Sequence, residues 1–107
     1  MDILDKSIEL INLYDLYQDL LTDKQKDYFE RYYFDDYTLQ EISENYLVSR
    51  NAVHDLLKRT VKKLNDLEDR LHLKELNKNR QIIISKMKKL NKDKIIANLI
   101  NELEKVE

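Results

Sequence analysis

Apolar residues at Ile3, Leu4, Ile8, Leu10, Ile11, Leu13, Tyr14, Leu16, Tyr17, Leu20 and Leu21 recur at helical spacing over a wide arc. They predict a first helix that ends near Leu21 and is largely surrounded by other elements. Thr22-Asp23-Lys24-Gln25 has the form of a capping box, in which the Thr hydroxyl accepts an orphan N–H and Gln25 reaches back to the cap; a second helix should run from there to about Phe34. Asp35-Asp36-Tyr37 interrupts the pattern, and Thr38-Leu39-Gln40-Glu41 repeats the box. A short third helix follows, with Leu39, Ile42 and Tyr46 pointing inward.

Ser49 is a good N-cap, and the apolar periodicity from Ala52 to Leu71 predicts a long fourth helix behind it. Val53, Leu57, Thr60, Leu64, Leu67 and Leu71 step by threes and fours, as do Leu73, Leu76, Arg80, Ile83, Met87 and Leu90. That is the spacing of helix-pairing seams. Such seams pack either against the first helix of the same chain or against another subunit, and Arg80 in a subunit interface would need a nearby acid. Residues 92 to 106, with Ile95, Ile96, Leu99, Ile100, Leu103 and Val106, should form a last amphipathic helix.

Composition narrows the chemistry. The 107 residues include no Gly, Pro, Cys or Trp. Gly-rich phosphate loops, dinucleotide fingerprints, thiolate zinc sites, disulfide frameworks and cysteine nucleophiles are therefore unavailable. Without Gly and Pro most tight hairpin turns lose their usual residues, and 42% hydrophobic with 37% charged residues suits amphipathic helices. The expected fold class is all-α. Apolar runs such as Ile82-Ile83-Ile84 fall far short of the roughly 18 to 20 residues that cross a bilayer, so no membrane insertion is expected. The opening MDILDKSIEL lacks the basic start and apolar centre of a secretory signal, and a cytoplasmic protein is expected.

Net charge is −2, unevenly distributed: residues 1–46 hold twelve acids against four bases, whereas residues 47–107 hold fifteen bases against nine acids. Any phosphate-binding face should therefore begin near Arg50.

The stretch TLQEISENYLVSRNAVHDLLKRT, Thr38 to Thr60, follows the grammar of a helix-turn-helix: a capped short helix, a brief turn, a Ser N-cap and an apolar residue four positions later. Ile42 and Val53 should lock the two helices together and Val48 should plug the corner. Arg50, Asn51, His54, Asp55 and Lys58 should then be exposed on the second helix. Arg50 suits phosphate or guanine and Asn51 suits adenine, while Lys58, Arg59, Lys62 and Lys63 suit phosphates; Asp55 would repel the backbone unless it met a cytosine amine. The expected nucleic-acid contacts are Ser49, Arg50, Asn51, His54, Lys58, Arg59, Lys62 and Lys63.

Residues 20 to 64, from LLTDKQ through YFERYYFDDYTLQEI to VSRNAVHDLLKRT, resemble the promoter-reading helix-turn-helix domain of bacterial sigma factors. More closely, residues 3 to 75 resemble the YlxM family of small helix-turn-helix proteins associated with the signal recognition particle pathway. The resemblance implies a sigma-like helix-turn-helix domain at 1–75, with a long N-terminal helix; the C-terminal helical extension at 76–107 is expected from apolar periodicity alone. The resemblance also implies a nucleic-acid-binding accessory or regulatory protein of that pathway, acting on DNA or RNA. An adaptor for the particle's GTPase or its receptor is the alternative, because a fold does not choose its partner. A homodimer through the extension is a further expectation. One position departs from the usual helix-turn-helix pattern: Leu47 stands in the turn where such families usually have Gly, so the turn is either differently shaped or strained.

Other features favour packing over chemistry. Tyr28, Phe29, Tyr32 and Tyr33 lie at helical spacing in an acidic neighbourhood and are expected in the core, although aromatic faces also stack on unpaired bases. His54 and His72 lack a third ligand, Asp35 and Asp36 suit a turn, and no serine has a neighbouring base. No catalytic residue, metal or cofactor is expected.

Overall fold

The computed structural model describes Leu4 and residues 7–106, and every regular element among them is helical. Two compact units divide the chain, Met1–His72 and Leu73–Glu107.

In the first unit, the Ser7 side chain accepts the Leu10 N–H at 3.1 Å and opens α1 (Ile8–Tyr17). Leu10, Leu13, Tyr14 and Tyr17 are buried, but Ile8 is 78% exposed, so α1 offers one face to the core rather than being surrounded. The α-helix also stops earlier than the apolar spacing predicts. Tyr17 leaves helical geometry, and a 3₁₀ turn, Gln18–Leu20, carries the chain to buried Leu21. Periodicity alone does not separate one tight terminal turn from a continued α-helix. Ile3 lies outside the described residues.

Both capping boxes form. Thr22 Oγ1 accepts the Gln25 N–H at 3.1 Å and Gln25 Oε1 accepts the Thr22 N–H at 2.9 Å, opening α2 (Asp23–Tyr33). Thr38 and Glu41 do the same at 3.0 and 3.2 Å for α3 (Leu39–Tyr46). Each box satisfies two orphan donors, and losing the Thr oxygen typically costs about 1 kcal/mol.

The fourth helix, α4 (Arg50–Leu71), packs against α1, α2 and α3. Its inward residues Val53, Leu57, Thr60, Val61 and Leu64 are all buried. Thr60, the polar member of the seam, satisfies its hydroxyl by donating to the Leu56 carbonyl at 2.8 Å. At the far end the Tyr17 hydroxyl donates to Glu68 at 2.7 Å, tying α1 to α4. Tyr28, Phe29 and Tyr33 are core residues: Phe29 stacks on Tyr14 and on Tyr33, both at 4.3 Å between centroids. Phe34, at the end of α2, is 46% exposed and meets Tyr14 by its edge.

In the second unit α5 (Leu73–Leu90) and α6 (Lys94–Lys105) pack together, with Ile84 and Ile100 buried and Lys88 paired to Glu104. Asp93 caps α6 by accepting the Ile95 N–H at 2.7 Å. The seam predicted on α5 is not its inner face, because Leu76, Ile83 and Leu90 are exposed. The inner position, Ile84, lies one residue beyond Ile83; two interleaved apolar rows make the inward one ambiguous from spacing alone.

A chain without glycine still needs left-handed residues at helix ends, and Asp36, Leu47 and His72 adopt φ of 57°, 54° and 55° after α2, α3 and α4. Leu47 is 90% exposed, so its side chain contributes little packing to offset the backbone cost. Leu47→Gly should therefore raise stability by up to about 1 kcal/mol in urea unfolding; an unchanged or lower midpoint would contradict the strain.

Tyr14 supplies a second test. Burial first, and then the Glu30 carboxylate, push its phenol up to about 12. The unfolded phenol titrates near pH 10. The contribution is thus complete below about pH 10 and is lost as pH rises towards 12, because the unfolded chain releases the proton first. Tyr14→Phe should lose less stability than the parent between pH 10 and 12 when unfolding is followed by denaturant; equal losses would show that Tyr14 is not the group responsible.

Candidate nucleic-acid interface

The interface begins with how α3 is held. Ile42 is fully buried in the core, and the Tyr46 hydroxyl donates a hydrogen bond to Asp27 on α2. That bond, more than burial, raises the Tyr46 phenol above its ordinary value. Arg31 lies 3.7 Å from the same Asp27 and donates to Asp35 at 2.9 Å, closing a small polar network along α2.

At the corner Leu47 takes φ 54° and ψ 43°, the left-handed conformation that glycine usually supplies. The Val48 N–H then reaches back to the Ser43 carbonyl at 3.1 Å, the six-to-one bond of a Schellman ending. The turn therefore keeps the usual left-handed shape, with the strain tolerated. Val48 is half-buried against the core, as a corner plug should be.

Ser49 Oγ accepts the Ala52 N–H at 3.0 Å and starts α4. The Ser49 oxygen is thereby committed to the cap, although its O–H can still donate. Arg50 and Asn51 follow at once, both exposed. Whereas α1, α2 and α3 each carry an acid in the first turn, α4 carries none. The positive end of its dipole is uncompensated, and Arg50 adds a further positive charge there. Such an end, with free N–H groups and a guanidinium, is suited to an anionic oxygen.

Lys58, Arg59 and Lys62 are exposed along the same helix, and Lys63 is half-buried. His54 is half-buried rather than fully exposed, and its Nδ1 lies 3.8 Å from the Asp55 carboxylate. Its side chain falls at the edge of the buried arc, next to Val61 and Leu57 in helical register. Asp55, Asp66 and Asp69 interleave with the bases on the exposed side, lowering the field a polyanion would feel.

Sequence reasoning missed two features. A groove of about 380 Å³ joins Arg50 to Tyr32, Asp36, Tyr37, Thr38, Leu39 and Gln40, so Arg50 lies beside the start of α3. A second, of about 360 Å³, adds Arg70 to Arg59, Lys62 and Lys63. The i, i+7, i+11 spacing from Arg59 could have identified Arg70, whereas the first groove depends on how two helices meet. Among the described residues no group of three His, Cys, Asp or Glu side chains could hold a metal, and no helix is long and apolar enough to cross a membrane.

Known proteins place this geometry. Residues 4–105 match the family model of the YlxM / p13-like helix-turn-helix proteins, UPF0122. A UPF0122 protein of Oceanobacillus iheyensis is 44% identical over 101 residues, covering 94% of this chain and 96% of the relative. The Bacillus subtilis UPF0122 protein YlxM is 42% identical over 108 residues, covering 97% and 98%. A Lactococcus lactis relative, YofM, is 38% identical over 105 residues, covering 97% and 95%. A helix-turn-helix is a non-enzymatic kind of fold suited to nucleic acid. With the capped α3, the left-handed corner and the basic start of α4 in place, the chain belongs to the YlxM / p13-like family of helix-turn-helix proteins.

Proposed function

We propose that this protein binds nucleic acid through α4, as a non-enzymatic accessory or regulator of the signal recognition particle pathway. The observation that carries the binding reading is the start of α4: a serine-capped helix end with no acid in its first turn and exposed Arg50 and Asn51 upon it. Arg50 and Asn51 would meet base edges or phosphates, and Lys58, Arg59, Lys62 and Lys63 would neutralise the backbone. The pathway, by contrast, rests on the family resemblance alone.

A homodimer belongs to the same reading. Leu76, Ile83 and Leu90 on α5 and Ile95, Leu99 and Leu103 on α6 are exposed apolar residues that a second copy would cover. Two reading helices about 34 Å apart would fit successive major grooves. The competing reading is an adaptor for the particle's GTPase or receptor, supported by the acids Asp55, Asp66 and Asp69 on the exposed side of α4.

The test uses Arg50→Ala and Lys58→Ala, titrated against the particle's RNA, an unrelated structured RNA and genomic duplex fragments. Both substitutions should weaken binding, by about 1 to 3 kcal/mol for a base contact, and each lost phosphate contact should flatten the salt dependence by about 1. Circular dichroism should be unchanged. Undiminished affinity in both variants would refute the assignment, and binding seen only with the GTPase present would favour the adaptor.

A further inference from the structure

The two units carry opposite charge. Residues 1–72 hold sixteen acids against ten bases, a net of −6, and residues 73–107 hold nine bases against five acids, a net of +4. The helix-turn-helix thus sits in a domain whose overall field opposes approach by a polyanion. The opposite condition holds on α5 and its exit. From Leu76 to Lys92 there are six bases and no acid, whereas Arg50 to Leu71 has six bases diluted by four acids.

The bases of α5 are also organised. Lys78, Ile82 and Lys86 follow one another at intervals of four, and Lys89 lies on the same side. All are exposed, and with Gln81 and Ser85 they line a shallow groove of about 390 Å³. No carboxylate lines it. Lys78 to Lys89 spans roughly 16 Å along the helix, a length over which one strand of a duplex presents several phosphates. Gln81 and Ser85 add neutral donors between the ammonium groups, as phosphate contacts commonly use. Lys88, in contrast, is turned away to Glu104. The exposed apolar residues Leu76, Ile83 and Leu90 form a separate row roughly a third of a turn from the lysines. Only Ile82 is apolar within the basic face, which favours a phosphate backbone over a lipid surface, where lysines flank an inserted apolar face.

We infer that the Lys78–Lys86–Lys89 face of α5 is a second phosphate-binding surface for nucleic acid, distinct from α4 and independent of base sequence. The inference rests on the nucleic-acid reading of α4 and adds the element that supplies the long-range attraction. Lysine suits that role, as a point charge that tolerates variable backbone geometry.

The test is a salt series on the full chain, with a mixed-sequence duplex and a structured RNA hairpin as probes. The parent is compared with K78Q/K86Q/K89Q, with K78R/K86R/K89R and with R50A/K58A. The glutamine variant should bind both probes about tenfold or more weakly at low salt, with the slope of log affinity against log salt reduced by about 2 to 3. The arginine variant should restore the slope, since it keeps the charge. Binding to phosphatidylglycerol-containing vesicles is measured in parallel. Unchanged slope and affinity for the glutamine variant would overturn the α5 assignment while leaving α4 standing. A loss confined to the vesicles would overturn it in favour of a lipid surface. Failure of the parent chain to bind either probe would overturn the α4 reading, and the α5 inference with it.

Discussion

Burial of the apolar side of α4 is the interaction on which the helix-turn-helix depends. Val53, Leu57 and Leu64 are fully buried, and α1, α2 and α3 all pack against this helix. Removing one such side chain to Ala typically costs about 2 to 5 kcal/mol, a large share of the stability of a small domain. Because α4 is both the core element of its unit and the helix with the exposed basic side, the apolar arc that stabilises the fold also sets which residues face outward. Arg50, Asn51 and Lys58 are presented because Val53, Leu57 and Leu64 are not free to rotate away. Tyr46 on Asp27 and the left-handed turn at Leu47 then set where the chain enters that helix.

Electrostatics divides the labour differently from packing. The first unit has the helix-turn-helix but is acidic overall, and its positive charge is gathered on α4, at Arg50 on an uncompensated helix end and around Arg59, Lys62, Lys63 and Arg70, where Asp66 dilutes it. The second unit has no such architecture and a positive balance. A phosphate-dependent binder would draw its orientation from the first and much of its attraction from the second, and its affinity would depend strongly on ionic strength.

Much of the fold was legible in the sequence because its signals are local. Thr22 with Gln25 and Thr38 with Glu41 act over one helical turn, so the residue types alone specify the bonds that form. The same holds for Ser49 and the burial of Ile42, Val53 and Leu57. What escaped sequence reasoning depended on partners distant in the chain or on fine backbone geometry. Tyr17 ends α1 before a 3₁₀ turn that has nearly the same apolar spacing as an α-helix. Ile84 rather than Ile83 faces α6, a choice made by the neighbouring helix. Leu47 takes a conformation its residue type disfavours, which spacing could only leave open. Of the site, the exposed bases were legible from helical register, while the half-burial of His54 and the groove joining Arg50 to the start of α3 required the packed structure.

The most direct measurement is a map of backbone amide shifts by NMR as a short duplex or RNA hairpin is added. Nucleic-acid contact through α4 predicts the largest changes at Arg50, Asn51 and Lys58, with the core aromatics Phe29 and Tyr33 little affected. Changes confined to the aromatic α2, or none along α4 at saturating ligand, would contradict it.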